Sequence, residues 1–419
     1  MSEKNIKFEI HQYGSKMIFE KNSNFPSFSI FILVPVGSNY ENDNNNGYSH
    51  FVEHLVFKGT KKRNYYDIPK EVEGIGCDIN AYTGSEYTGY YIRGRDIKFS
   101  EASDVLFDLI QNATFPEEEI EKEKEVVIQE YNSIEDSPEE LSLIELKKAI
   151  WDNTPFSYDT IGKIENIVSS NREKLYDFYE SYYNLKNLII SIYGNLEYED
   201  IKRVLNEKLN KKSSDKTINV NLQEPSFEKN IKIKNKNTKQ MHVSIGFKAP
   251  SVISNRYYKN LVLLNIIGGG MSSRLFQKIR EKLGLVYAIY TFNLSNNITG
   301  ANVIYFASSK RNLPKVLEEI KKEFKNIKDN GIKKDEIERS KELLIGNYLL
   351  RLENSLARSE RNAVSFFRKG IVENIEKTIE KIQCVKEDDI YEELESIDYN
   401  EFGYGVTGEI SEDEFKKFL

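Results

Sequence analysis

Three stretches of this 419-residue chain occur twice, in the same order. "PEEEIEKEKEVVIQEY" (Pro116 to Tyr131) is matched by "KKDEIERSKELLIGNY" (Lys333 to Tyr348). Glu119, Ile120, Glu121, Lys124, Glu125, Ile128 and Tyr131 recur as Glu336, Ile337, Glu338, Lys341, Glu342, Ile345 and Tyr348, each 217 positions on. "KEVEGIGCDINAYT" (Lys70 to Thr83) returns 208 positions later as "KIREKLGLVYAIYT" (Lys278 to Thr291), and "SIYGNLEYEDIKRVL" (Ser191 to Leu205) returns as "GVTGEISEDEFKKFL" (Gly405 to Leu419). Ordered repeats at similar offsets mean two related domains of roughly 200 residues, a common domain size. The join falls in "NKKSSDKTINVNLQEP" (Asn210 to Pro225), a polar stretch without a periodic apolar face. The expected organisation is a first domain over 1–212, a linker over 213–226 and a second domain over 227–419.

Within the first half, short strand-like runs come first: "KFEIHQ", "KMIFEK" and "FSIFILVPV". Longer helical patterns follow, and a further strand, "NLIISIYG" (Asn187 to Gly194), closes the half. The short "YGS" turn joins its neighbours as a hairpin. Antiparallel strands with segregated helices make the class α+β: two related domains, each a mainly antiparallel sheet with helices packed on one face. "NIKIKNKNTK" (Asn230 to Lys239) alternates Ile with Lys and reads as a strand with one solvated, edge-protecting face.

Composition narrows the function classes. A net charge of −7 argues against a nucleic-acid binder, whose footprint is a basic face. Cys77 and Cys384 lie far apart, in no metal-like spacing, and fit a reducing compartment. The most apolar early run, Phe28 to Val36, is too short to span a bilayer, and no signal-peptide pattern precedes it. A soluble cytoplasmic protein without nucleic-acid or membrane partners is expected. "GGGMSS" (Gly268 to Ser273) lacks the ending of a phosphate loop, which sets nucleotide binding aside.

The chain has only four histidines, and two of them fall in "GYSHFVEHLVFKGT" (Gly47 to Thr60). His50 and His54, four apart, share one face of a helix and can present two imidazoles to one ion. Zinc takes imidazole nitrogen readily, and catalytic zinc has three protein ligands with an open position. Glu53 projects beside the pair, placed as a general base toward a water. The order is H-x-x-E-H, the inverse of H-E-x-x-H. Glu130 is the candidate third ligand, on a helical run that Thr114 is placed to cap. Glu123, two turns earlier on the same face, is placed to accept a hydrogen bond from a ligand imidazole. The plain alternatives are a half-exposed histidine pair and a solvated acidic helix face. The repeat weighs against the second, because Glu123 and Glu130 become Ser340 and Asn347 while the scaffold positions persist. His11 and His242 stand isolated in strand-like segments and read as structural.

Taken together, "GYSHFVEHLVFKGT", "EVEGIGCDINAYTGSEYTGYY" (Glu71 to Tyr91), "EKEVVIQEY" and "SRLFQKIREKLGLVYAIYTF" (Ser273 to Phe292) resemble the inverted zinc metallopeptidases of the pitrilysin and insulin-degrading type. The length resembles their processing-peptidase branch, and the likeness covers nearly the whole chain. It implies Zn2+ held by His50, His54 and Glu130, Glu53 as catalytic base and Glu123 as a second acid. It implies Arg280 and Tyr287 as substrate-binding residues, Tyr287 also serving the oxyanion, and Asn80 and Ala81 on an edge strand that pairs with the peptide. Cys77 departs from the pattern, which has glycine there. Both residue sets sit on one chain, which implies a zinc endopeptidase working as a homodimer around a peptide chamber. The alternatives are a catalytically silent peptide-binding or scaffold subunit, and a processing subunit that needs a different partner chain.

Overall fold

The computed structural model describes residues 6–210 and 222–419, so most of the expected linker lies outside the described residues. The first sheet contains β1 (Ile6–Ile10), β2 (Lys16–Lys21), β3 (Ser27–Val34), β4 (Asp78–Thr83), β5 (Thr88–Arg95) and β6 (Ile189–Gly194), in the order β1-β2-β6-β3-β5-β4. The second contains β7 (Ile231–Asn235), β8 (Met241–Lys248), β9 (Val286–Asn293), β10 (Ala301–Ser308) and β11 (Gly403–Gly408), in the order β7-β11-β8-β10-β9. The repeat is visible in the topology. β2, β6, β3, β5 and β4 correspond in order to β7, β11, β8, β10 and β9, and β1 is extra. In each sheet one pair is parallel, β2 with β6 and β7 with β11, and the other pairs are antiparallel.

Residue chemistry explains the strand order. β3, "SFSIFILV", is buried along nearly its whole length and lies inside the sheet, as a continuous apolar run requires. β7, with its alternating lysines, lies at an edge, as does the half-exposed β4.

The compact units do not follow the sequence halves. Among the described residues, one comprises 6–131, 159–210 and 350–374; the other comprises 132–158, 222–349 and 375–419. Each sheet is therefore covered by a helix from the other sequence half. Helix Pro138–Ile150, capped by Ser137, packs in the second unit, where the Ser142 and Ser244 hydroxyls pair at 2.8 Å. Gly405 permits the close approach, because a Cβ there would strike the backbone of Ser142 and Leu146. Helix Ser355–Lys369 packs in the first unit, where Ser359 pairs with Ser29 at 2.9 Å. There Glu20 is bonded by Arg358 and by the Asn362 amide. Ala363 of this helix joins Ile18, Phe31, Leu33 and Ile189 in one apolar cluster. The exchange departs from the contiguous organisation expected over 1–212 and 227–419. An amphipathic helix records that it must be buried, but not on which of two related sheets. No helix of the described residues is long and apolar enough to cross a membrane.

The exchange makes each sequence half incomplete. Re-exposing Ile18, Phe31, Leu33 and Ile189 at ~1.5–3 kcal/mol each amounts to much of the ~5–15 kcal/mol that holds a domain folded. Fragments 1–221 and 222–419 are expected to show no cooperative thermal unfolding separately and to regain it when co-expressed. A cooperative transition in fragment 1–221 alone would contradict this arrangement.

Candidate metal centre

The helix Tyr48–Val56 buries Tyr48, Phe51, Val52, Leu55 and Val56. These are positions i, i+3, i+4, i+7 and i+8, one apolar stripe. With that stripe turned to the core, His50 and His54 emerge together on another side. The start of the helix is fixed by a residue the sequence reading missed. The buried Glu41 carboxylate accepts from the N–H of Gly47 (2.9 Å), the N–H of Ser49 (2.6 Å) and the Asn46 amide (2.9 Å). Burial raises its pKa despite those donors. A carboxylate at a helix N-terminus satisfies otherwise orphan N–H groups and opposes the helix dipole. Gly47 enters the helix at φ 104°, a backbone conformation that favours glycine.

His50, His54 and Glu130 offer one ligand atom each within 4.8 Å of one another. The two Nε2 atoms lie 3.1 Å apart, and Glu130 Oε2 lies 3.5 Å from each. A point about 2.0 Å from all three atoms follows from that triangle, matching zinc bonds of ~2.0–2.2 Å to imidazole nitrogen and carboxylate oxygen. The donor set and its spacing therefore fit zinc. Burial, then the neighbouring His54, pushes His50 down to about 3, so its ring is neutral, as metal ligation requires. Burial also lowers His54, but its bond to Glu123 and the charges of Glu130 and Glu53 outweigh burial and leave it raised.

Of these donors, His54 is held by a neighbouring acid. Glu123 Oε1 lies 2.9 Å from His54 Nδ1, and Lys58 holds the other Glu123 oxygen at 2.6 Å. Burial opposes ionisation of Glu123, and the His54 and Lys58 contacts outweigh it, so its pKa is lowered. His50 Nδ1 is buried without a hydrogen-bond partner among the described residues. Glu53 is 9% exposed. Burial raises its pKa, against the hydrogen bond it receives from Thr83. These groups, with Asn80 and Ala81, line one open cleft of about 510 Å³. β4, an edge strand of its sheet among the described residues, forms one wall of the cleft, and the Asn80 side chain accepts the N–H of Ala81 at 2.8 Å.

Arg280 and Tyr287 belong to the second unit. Arg280 lies on a π-helical turn, Phe276–Lys282, with its guanidinium 4.6 Å from the Phe276 ring centre and 5.4 Å from that of Tyr287. Tyr287 is 78% exposed. Thr114 does not cap the helix Glu117–Glu135. Its hydroxyl donates to the Gly59 carbonyl instead, because Phe115 turns the chain at φ 50° before the helix begins. Cys77 fills the space beside Gly94 on β5. His242 bonds the Tyr305 hydroxyl at 2.8 Å, and His11 is buried.

The family model "Insulinase (Peptidase family M16)" matches residues 16–163, and "Peptidase M16 inactive domain" matches residues 169–344. An uncharacterized zinc protease, YmxG, of Bacillus subtilis (strain 168) is 34% identical over 374 residues, covering 89% of this chain and 91% of that protein. The mitochondrial-processing peptidase subunit beta of Bos taurus is 27% identical over 381 residues, covering 88% of this chain and 77% of its own. Among solved structures, a peptidase M16 inactive domain from Pseudomonas fluorescens superposes with TM-score 0.90 at 17% identity, over 97% of this chain and 98% of that one. A protease from Helicobacter pylori gives 0.89 at 17%, over 96% and 99%. At that identity the two structures speak to the fold alone.

The geometry separates two acids on one helix. Glu130→Gln is expected to weaken zinc retention far more than Glu123→Gln, whose effect through His54 is ~10–100-fold. Zinc affinity measured by competition with a chromophoric chelator checks this. Equal losses, or the reverse order, would mean that the third ligand is misassigned.

Proposed function

This chain belongs to the insulinase family, peptidase family M16, and from that premise we propose that it is a zinc-dependent endopeptidase. It would cleave peptides or unfolded segments held as an added strand. The reading is carried by one observation: two imidazole nitrogens and a carboxylate oxygen converge beside the buried Glu53, in a cleft walled by a free strand edge.

The peptide adds to the edge of β4 near Asn80 and Ala81, where main-chain hydrogen bonds give affinity without strong sequence selectivity. When bound at His50, His54 and Glu130, zinc supplies Lewis-acid polarisation of the scissile carbonyl and a more acidic water. Glu53 takes the proton of the attacking water and delivers it to the leaving amine. Its burial supports that role, since a raised pKa brings a carboxylate nearer the working range of a general base. Glu123 and Lys58 hold the His54 ring. Tyr287 donates to the developing oxyanion. Arg280, between two rings, offers its planar fork to a peptide carbonyl or carboxylate.

Both residue sets lie on one chain, which supports a homodimer closing around a peptide chamber, with Arg280 and Tyr287 of each copy serving the metal residues of the other. A processing subunit with a different partner chain is the second reading, favoured by the 27% identical relative, which is named as a subunit. The two unpaired cysteines support a cytoplasmic location.

Glu53→Gln is expected to keep its zinc and to lose ~10²–10⁴-fold in peptide cleavage. Elemental analysis beside a peptide-library assay with and without chelator checks both halves, and zinc loss in step with activity would remove Glu53 from the role of base. Glu53→Gln and Tyr287→Phe homodimers are each expected to be weak, while mixed dimers regain one active site. Verified mixed dimers no better than their parents, beside active wild-type protein handled identically, would refute the action across the dimer.

A further inference from the structure

The hydrogen bond to Glu53 comes from the strand proposed to receive the substrate. The Thr83 hydroxyl donates to Glu53 Oε2 at 2.6 Å, a short hydrogen bond between two side chains of the cleft. Among the described residues Oε2 takes this bond and Oε1 takes none. Thr83 is the last residue of β4, two beyond Ala81, and faces Thr88 across the β4–β5 hairpin.

The end of that hairpin is clamped. The N–H groups of Ser38 and Asn39 bond the carbonyls of Gly84 and Ser85 at 3.3 and 2.9 Å. Gly37 lies so close to Gly84 that a Cβ there would strike it. Adjacent residues of a strand project to opposite faces, and Tyr82, beside Thr83, is held separately. Its hydroxyl donates to Glu360 at 2.8 Å, while Arg368 holds Glu86 of the hairpin turn at 2.9 Å. Glu360 and Arg368 lie on the exchanged helix Ser355–Lys369. Thr83 thus presents its hydroxyl from a mount fixed on both faces.

We propose that Thr83 is a positioning residue for Glu53: its hydroxyl fixes Oε2 and so registers the catalytic carboxylate to the strand on which the peptide lies, leaving Oε1 to take the proton. The proposal rests on the reading of Glu53 as base. A hydroxyl that only satisfied a buried carboxylate would affect stability and leave turnover alone.

The test compares Thr83→Val, Thr83→Ser, Glu53→Gln and the Glu53→Gln/Thr83→Val double variant in steady-state peptide cleavage, with zinc content and thermal unfolding measured alongside. Thr83→Val is expected to lose ~10–100-fold in kcat, by analogy with the loss of a group that orients a ligand. KM is expected to shift by less than about twofold, since the hydroxyl touches the base and not the peptide. Zinc content should be unchanged, Thr83→Ser should restore kcat, and the double variant should be no slower than Glu53→Gln alone. Should Thr83→Val fail to fold, Thr83→Ala carries the same comparison. Wild-type kcat in the Val or Ala variant, no rescue by Ser, or a further fall in the double variant would overturn the proposal while the wild-type protein still cleaves peptide. A wild-type protein with zinc bound and no cleavage would instead overturn the peptidase reading, and this proposal with it.

Discussion

The apolar stripe of the helix Tyr48–Val56 decides where the chemistry sits. Five side chains of its nine residues must reach the core, so the roll of the helix about its axis is fixed by burial. Glu41 then fixes where the helix begins, by taking the N–H groups of Gly47 and Ser49. With roll and start both set, the two imidazoles leave the helix on one side, their Nε2 atoms 3.1 Å apart. The remaining donor comes from Glu130, 80 residues beyond His50, and the cleft wall from β4. Precision at such a centre depends on side chains that packing has already locked.

The two repeats show what the site adds to the scaffold. The helix Tyr257–Gly268 follows β8 as Tyr48–Val56 follows β3, and it contains no histidine. On the repeated long helix, Ser340 stands where Glu123 stands in the first copy, and its hydroxyl donates to the Val262 carbonyl at 3.0 Å. One position thus bonds the His54 imidazole in one copy and ties two helices together in the other. What persists is the burial pattern, and what differs is the set of polar groups at the cleft.

Much of this was legible because it is local. The spacing of His50, Glu53 and His54, the alternating lysines of β7 and the apolar run of β3 are short-range patterns that a sequence displays directly. The loss of Glu123 and Glu130 in the repeat drew attention to two acids in a helix full of them. Other features carried no local signal. Glu41 lies in the loop before "NDNNNG", where nothing distinguishes it from a solvated acid, and its partners are backbone groups. The Thr83 bond to Glu53 joins residues 30 apart through tertiary packing. The helix exchange was hidden because Leu146 and Ile150 declare a buried face without declaring its partner. Thr114 precedes its helix at a plausible capping distance, but the φ 50° turn at Phe115 sends its hydroxyl to Gly59.

The central claim is that His50, His54 and Glu130 hold one zinc ion on which peptide cleavage depends. Its most direct test is a titration: zinc added stepwise to metal-stripped wild-type protein while cleavage of an unstructured peptide is followed. The account predicts no cleavage at the start, a linear rise, and a plateau at one equivalent per chain. Full cleavage by the stripped protein in excess chelator, or none at one bound equivalent, would contradict it.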